Sequence, residues 1–80
     1  MKDELFRTTS FRIASLLLAK SFILETVEPT ADPKRKIFVF LDKPERQQLI
    51  TDFYNGSVNV NARLFADSER RLKEIIHGQT

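Results

Sequence analysis

The sequence contains no cysteine. A chain without cysteine has no disulfide framework, no thiolate-bound zinc and no cysteine nucleophile. It also lacks a run of about 18 consecutive apolar residues, the length that a membrane-spanning helix needs. Met1 is followed by Lys2, Asp3 and Glu4 rather than by the apolar segment of a signal peptide. These absences predict a cytoplasmic protein that is held together by packing alone and has no membrane partner.

Residues with catalytic chemistry are also scarce. The single histidine, His77, falls at the predicted end of the last helix, where an imidazolium complements the negative end of the helix dipole. Two glycines are too few for a loop that cradles phosphate groups. Asp42 and Glu45 stand at the start of a predicted helix, and Asp67, Glu69 and Glu74 alternate with bases along the last one. We therefore predict no catalytic residue, no metal site and no cofactor, and hence that the protein is not an enzyme.

The length and charge of the chain further limit the classes of protein that it can belong to. The chain has 80 residues, enough for one domain, which we place at 1–80. Hydrophobic residues make up 41% and charged residues 30% of it, a balance typical of a globular domain. The formal net charge of +2 is too small an excess to identify a nucleic-acid-binding protein by itself. A domain of this size is marginal in stability, so a homodimer is one prediction.

Three segments have helical patterns. Hydroxyl residues at 8–10 are suited to cap a first helix at 11–20, which is apolar around most of its circumference and leaves Arg12, Ser15 and Lys20 for solvent. A second helix is predicted to begin after Asp42, because Glu45 follows it at the spacing of a capping box, and to stop at Asn55-Gly56. Asn61 is suited to cap a third helix that runs toward Ile76.

Four segments have strand patterns: 5–8, 22–28, 37–41 and 57–60. The second and third are separated by a short loop with two prolines, so they predict an antiparallel hairpin. The predicted order is β-α-β-β-α-β-α. We expect an α+β domain with a small antiparallel sheet, of the ferredoxin-like split βαβ type, with the third helix at the C-terminus.

The strongest strand pattern carries the candidate site. Phe38 and Phe40 are spaced by two, so they share one face of the strand, and the aliphatic residues between and beside them share the other. If the aliphatic face meets the first two helices, the two rings are free to stack on bases. Lys34, Arg35 and Lys36 precede them and would contact phosphates. These five residues form the predicted nucleic-acid-binding site, for RNA or DNA.

The third helix offers an alternative interpretation of the same face. Its apolar stripe needs a surface to cover, and the second face of the sheet is the obvious candidate. In that arrangement the rings lie inside the protein, and no base can reach them. The stripe consists of Leu64, Phe65, Ser68, Leu72, Ile75 and Ile76.

Several short motifs resemble those of a small prokaryotic domain family of unknown function. They are the segments 6–9 (FRTT), 14–20 (ASLLLAK), 38–40 (FVF), 54–56 (YNG) and 60–63 (VNAR). The resemblance covers nearly the whole chain. It implies kinship with short bacterial and archaeal proteins, often from mobile elements or phage-like regions, that carry no assigned activity. The recurring positions correspond to a cap, a buried helix, a core strand and a helix stop, so they specify a fold rather than a site.

Two functions from different classes follow. The first is a non-enzymatic accessory or regulatory domain that binds nucleic acid through its basic hairpin loop and aromatic strand. The second is a protein-interaction module or homodimer that binds no nucleic acid, in which the same strand or the third helix packs against another polypeptide.

Overall fold

Three strands and three helices form the part of the chain that the computed structural model describes, residues 4–78. The predicted α+β class and the C-terminal helix are confirmed. The predicted fourth strand is wrong, because residues 57–60 lead into the last helix without joining the sheet. The order is therefore β-α-β-β-α-α, with the elements β1 (Leu5–Thr8), α1 (Phe11–Ala19), β2 (Leu24–Pro29), β3 (Lys36–Leu41), α2 (Arg46–Tyr54) and α3 (Ala62–Gly78).

The sheet has the strand order β1-β3-β2, and β3 is antiparallel to both of its neighbours. The two outer strands thus run parallel to each other, are joined through α1, and have β3 inserted between them. This is the split βαβ arrangement that the order of elements predicts. The register of β2 shifts between Leu24 and Thr26, which leaves Glu25 as an extra residue in that strand.

Local signals set the ends of the helices largely as predicted. Ser10 Oγ accepts a hydrogen bond from the Ile13 N–H at 3.1 Å and caps α1. Asn61 Oδ1 accepts one from the Arg63 N–H at 2.9 Å and caps α3. Gly56, with a φ of 74°, ends the turn after α2 in the left-handed region, where glycine avoids the steric penalty that other residues meet.

The start of α2 differs from the prediction. The helix begins at Arg46 rather than directly after Asp42. Asp42 Oδ1 accepts a hydrogen bond from the neighbouring Lys43 N–H at 2.9 Å and another from the Arg46 guanidinium. Because the carboxylate makes these two contacts, it does not cap a helix that starts after Asp42. Residues 43–45 form a turn instead, and the side chain of Glu45 makes no capping hydrogen bond.

One hydrophobic core lies between the sheet and the helices. α1 contributes Ile13, Ala14 and Leu17 to it, and α3 contributes Leu72. Ser15, which the pattern of α1 leaves for solvent, is instead fully buried; its hydroxyl donates to the Phe11 carbonyl at 2.9 Å, so the burial leaves no unpaired polar group. Val27, Phe38 and Phe40 of the strands complete the core, together with Phe22, which precedes β2.

Candidate interaction surfaces

The aromatic pair of β3 points into the core. Phe38 and Phe40 are only 2% and 0% exposed. The ring of Phe38 meets the ring of Phe11 edge to face, with 6.3 Å between the centroids. The prediction that these two rings are free to stack on bases is therefore wrong.

The alternation along β3 is as predicted, but the face that meets the helices is the aromatic one. The cross-strand neighbours explain why. Phe40 lies between Phe6 and Leu24, whereas Val39 lies between Arg7 and Thr26. The opposite face carries Arg7 and Glu28 beside its aliphatic residues, so burying the aromatic face removes more apolar surface from water without burying a charge. Comparing the strands with one another, rather than β3 alone, is the signal that identifies the inner face.

The third helix lies on the aromatic face, as the alternative interpretation predicts, and the rings are inside the protein. α3 packs against α1. It brings Leu72 into the same core as the two phenylalanines, and Ile75 and Ile76 pack against that core from the same helix. Leu64, which the apolar stripe predicts to face inward, remains 53% exposed. The helix therefore adds to the aromatic side of the sheet.

The basic residues lie at the tip of the β2–β3 hairpin, apart from any exposed ring. Lys34 and Arg35 are exposed, and Lys36 is half-buried at the start of β3, paired with Pro29. The turn is ordered by Asp32, whose carboxylate accepts a hydrogen bond from the Lys34 N–H at 2.9 Å. Of the predicted site, a small basic loop next to an acidic side chain is therefore accessible. The aromatic residues of that site, Phe38 and Phe40, are not available there for base stacking.

The sheet face opposite the helices is a surface that the strand pattern did not single out. We call it the open face. It has an apolar row at one end, Leu5, Leu41 and Ile23, in which Leu5 pairs with Leu41 and the Leu41 N–H donates to the Ile23 carbonyl at 3.0 Å. Leu5 and Ile23 are 42% and 56% exposed. The other residues of the open face are Arg7, Val39, Thr26, Ile37 and Glu28.

Its orientation follows from the pleat. Ile23 lies between Phe22 and Leu24, which both belong to the core side, so its side chain points to the other face. Ile37, Val39 and Leu41 likewise alternate with Phe38 and Phe40. Ile37 and Leu41 are not part of the core cluster, and the helix residues that pack in or against that cluster come from α1, α2 and α3, on the side of Phe38 and Phe40.

An ion pair spans the open face. Arg7 on β1 and Glu28 on β2 approach across β3, with 3.5 Å between Nε and Oε1. Their side chains are 54% and 41% exposed, so the pair contributes little to stability, about 0.2 to 1 kcal/mol before screening by salt. It does lie above the middle of β3, where Val39 is buried although no helix covers it. The two residues that form the pair lie on opposite edge strands of the sheet.

A second exposed apolar region lies where α2 meets α3. Phe53, Val58, Val60 and Phe65 line a groove with a volume of about 500 Å³. Tyr54 stands beside it, 70% exposed, with its ring 5.9 Å from that of Phe53. The groove lies between elements that the sequence connects directly, so it reflects loose packing of α2, a helix with no buried residue.

The carboxyl group of Asp42 has a shifted pKa. The hydrogen bond from the Arg46 guanidinium, which joins Nε to Asp42 Oδ1 at 3.0 Å, holds the pKa of Asp42 below its ordinary value of 3.8. The same guanidinium lies over the ring of Phe6, with 4.0 Å from Cζ to the centroid. This cluster ties α2 to β1, which is a structural role. Within residues 4–78, no three side chains of histidine, cysteine, aspartate or glutamate are grouped so that they could hold a metal ion.

These observations define a class: a small α+β domain built on a split βαβ unit, with all its helices on one side of the sheet. The chain belongs to the family described as Domain of unknown function (DUF5659), whose model matches residues 3–78. The resemblance to an uncharacterised small domain family is thereby confirmed. No curated protein and no solved structure matches the chain. In the described part of the chain, no helix has the length and apolar character required to cross a membrane.

Proposed function

We propose that this chain is a non-enzymatic protein-interaction domain that binds another polypeptide through the open face. The observation that carries the proposal is the apolar row of Leu5, Leu41 and Ile23, on a sheet face that no described helix covers. Contiguous apolar side chains on a sheet cost free energy when water covers them. A partner that covers the row removes that cost. Location in the cytoplasm and an origin in prokaryotic mobile elements stay predictions of the sequence.

Nucleic acid is the second candidate, and it now rests on the hairpin tip alone. Lys34 and Arg35 are exposed on an ordered turn, which suits contact with phosphates. Because the rings of Phe38 and Phe40 are buried, such contact would be electrostatic and independent of sequence. Fluorescence-anisotropy titration with single-stranded RNA and DNA at low and high salt tests it. Binding that weakens steeply with salt, and is lost when Lys34, Arg35 and Lys36 are changed to Glu, would favour this candidate.

Site-specific photocrosslinking tests the protein-interaction function. A photoreactive phenylalanine analogue replaces Ile23, and in a matched variant it replaces Leu64, which has a similar exposed fraction but lies on α3. In the cells that encode the protein, we expect a discrete polypeptide adduct from position 23 that disappears when Leu41→Lys is added. Adducts that are equal at both positions, or that persist with Leu41→Lys, would show that the open face does not bind a polypeptide.

A further inference from the structure

We propose that the polypeptide on the open face is a second copy of this chain, related to the first by a two-fold axis parallel to β3. This inference rests on the proposed function and names its partner. Two sheets that pack face to face keep their strands within about 30° of each other and lie about 10 Å apart. Two identical sheets can meet in this way about either of two axes, one along the strands and one across them. The pattern of the open face discriminates between them.

The residues of the open face lie in three rows across the strands. The first is the apolar row of Leu5, Leu41 and Ile23. The second consists of Arg7, Val39 and Thr26, and the third of Ile37 and Glu28. The face is thus apolar at one end and charged toward the other.

A two-fold axis along the strands places each row over the same row of the partner. The apolar row then meets the partner's apolar row, and six leucine and isoleucine side chains leave water together. An axis across the strands would instead turn the apolar row toward the end that carries Glu28. That arrangement buries a carboxylate against aliphatic side chains, which is unfavourable.

The charges select the same axis. Rotation about an axis along β3 exchanges the two edges of the sheet, so β1 of one copy faces β2 of the other. Arg7 of each copy then lies over Thr26 in the same row of its partner, two residues along β2 from the partner's Glu28, and both charged side chains are long enough to reach each other across the gap between the sheets. Rotation about an axis across the strands would place Arg7 over Arg7. The intramolecular pair, 3.5 Å apart in the single chain, becomes part of a four-charge network in the dimer.

A charge-swap experiment tests the arrangement. Sedimentation velocity of the wild-type protein over a range of micromolar concentrations is expected to show a monomer that converts to a dimer. Arg7→Glu alone and Glu28→Arg alone each put two like-charge contacts into the dimer, so each is expected to weaken dimerisation about 10- to 30-fold. An equimolar mixture of the two variants is expected to restore a dimer, because every intermolecular contact is then between opposite charges.

The control variant is Arg70→Glu. Arg70 forms an exposed pair with Asp67 on α3, with 3.6 Å between the charged atoms, so this change also replaces a paired arginine but lies away from the open face. It is expected to leave dimerisation unchanged. Circular dichroism of all variants verifies that the fold is retained.

Each outcome decides between the hypotheses. Restoration in the mixture supports the two-fold dimer. A mixture as weak as the single variants overturns it, and so does a wild-type protein that stays monomeric. If the protein is monomeric but the photocrosslink from Ile23 leads to a different polypeptide, the dimer fails and the protein-interaction function stands. If there is neither a dimer nor a specific crosslink, both fail.

Discussion

α2 packs against the core through Leu49, Ile50 and Phe53, and a further contact at its start can be tested through Asp42. α2 has no buried residue, so it depends on contacts at its ends and along one side. At its start, the Arg46 guanidinium donates to both carboxylate oxygens of Asp42, at 3.0 and 3.3 Å, while it lies over the Phe6 ring. Asp42 itself is joined to β1, because its N–H donates to the Glu4 carbonyl at 2.9 Å. We expect Asp42→Asn to weaken this connection without removing it.

The magnitude follows from the geometry. The side chains of Arg46 and Asp42 are 22% and 17% exposed, so the pair is better shielded than a surface salt bridge, which contributes about 0.2 to 1 kcal/mol. Hydrogen bonds to charged groups contribute about 1.5 to 3 kcal/mol. Asparagine keeps an acceptor oxygen for the Lys43 N–H and for one guanidinium contact. The expected loss in the free energy of unfolding is therefore about 1 to 2 kcal/mol at neutral pH.

The loss should depend on pH in a defined direction. Because the pKa of Asp42 in the folded protein lies below its ordinary value of 3.8, the carboxylate stabilises the fold above that value. The stabilisation is lost as the pH falls through the lowered pKa. The difference between wild type and Asp42→Asn is thus full at neutral pH and shrinks in acid. Urea unfolding followed by circular dichroism, from about pH 7 down to about pH 2.5, measures it.

A matched pair on the surface supplies the control. Asp67 and Arg70 are 46% and 69% exposed and 3.6 Å apart, so we expect Asp67→Asn to cost less than about 0.5 kcal/mol. If Asp42→Asn costs no more than Asp67→Asn, the Asp42–Arg46 contact does not anchor α2. A difference that stays constant from neutral to acid pH would show that the charge of Asp42 is not the source of the stabilisation.

Two further substitutions test the core and a helix stop. Phe40→Ala should lower the free energy of unfolding in urea by about 3 to 5 kcal/mol, since Phe40 is fully buried in the core. Leu64→Ala, at a residue that is 53% exposed, should lower it by under about 1 kcal/mol. Similar losses for the two variants would contradict the inward position of Phe40. Gly56→Ala should destabilise the protein by about 1 kcal/mol through the backbone alone, because φ at Gly56 is +74° and no atom lies within 4 Å of the added Cβ. Gly78→Ala, where the space is equally open, should not destabilise the protein. Equal melting temperatures for the two variants would contradict a backbone cost at Gly56.

Local features of this protein could be predicted from the sequence because they depend on neighbouring residues. Ser10 and Asn61 cap helices, and Gly56 follows one, since each acts on backbone groups within a few positions of itself. The hairpin and the alternation of β3 are set by similarly short patterns. Two local predictions of secondary structure failed. Residues 57–60 form no strand, and α2 begins only at Arg46, because the Asp42 carboxylate is held by the Arg46 guanidinium and by the Lys43 N–H instead of capping the helix.

The tertiary structure alone decided which side of the sheet is inside. Alternation places Phe38 and Phe40 on one face and Val39 on the other, but a single strand does not tell which face meets the helices. That choice depends on the pairing with β1 and β2, which puts Phe6 and Leu24 beside Phe40 and Arg7 and Thr26 beside Val39. The sum of these apolar partners favours burial of the aromatic face. The surface left for a partner is therefore the aliphatic face. It could not be predicted from β3 alone, because burial depends on the whole sheet and not on any one segment.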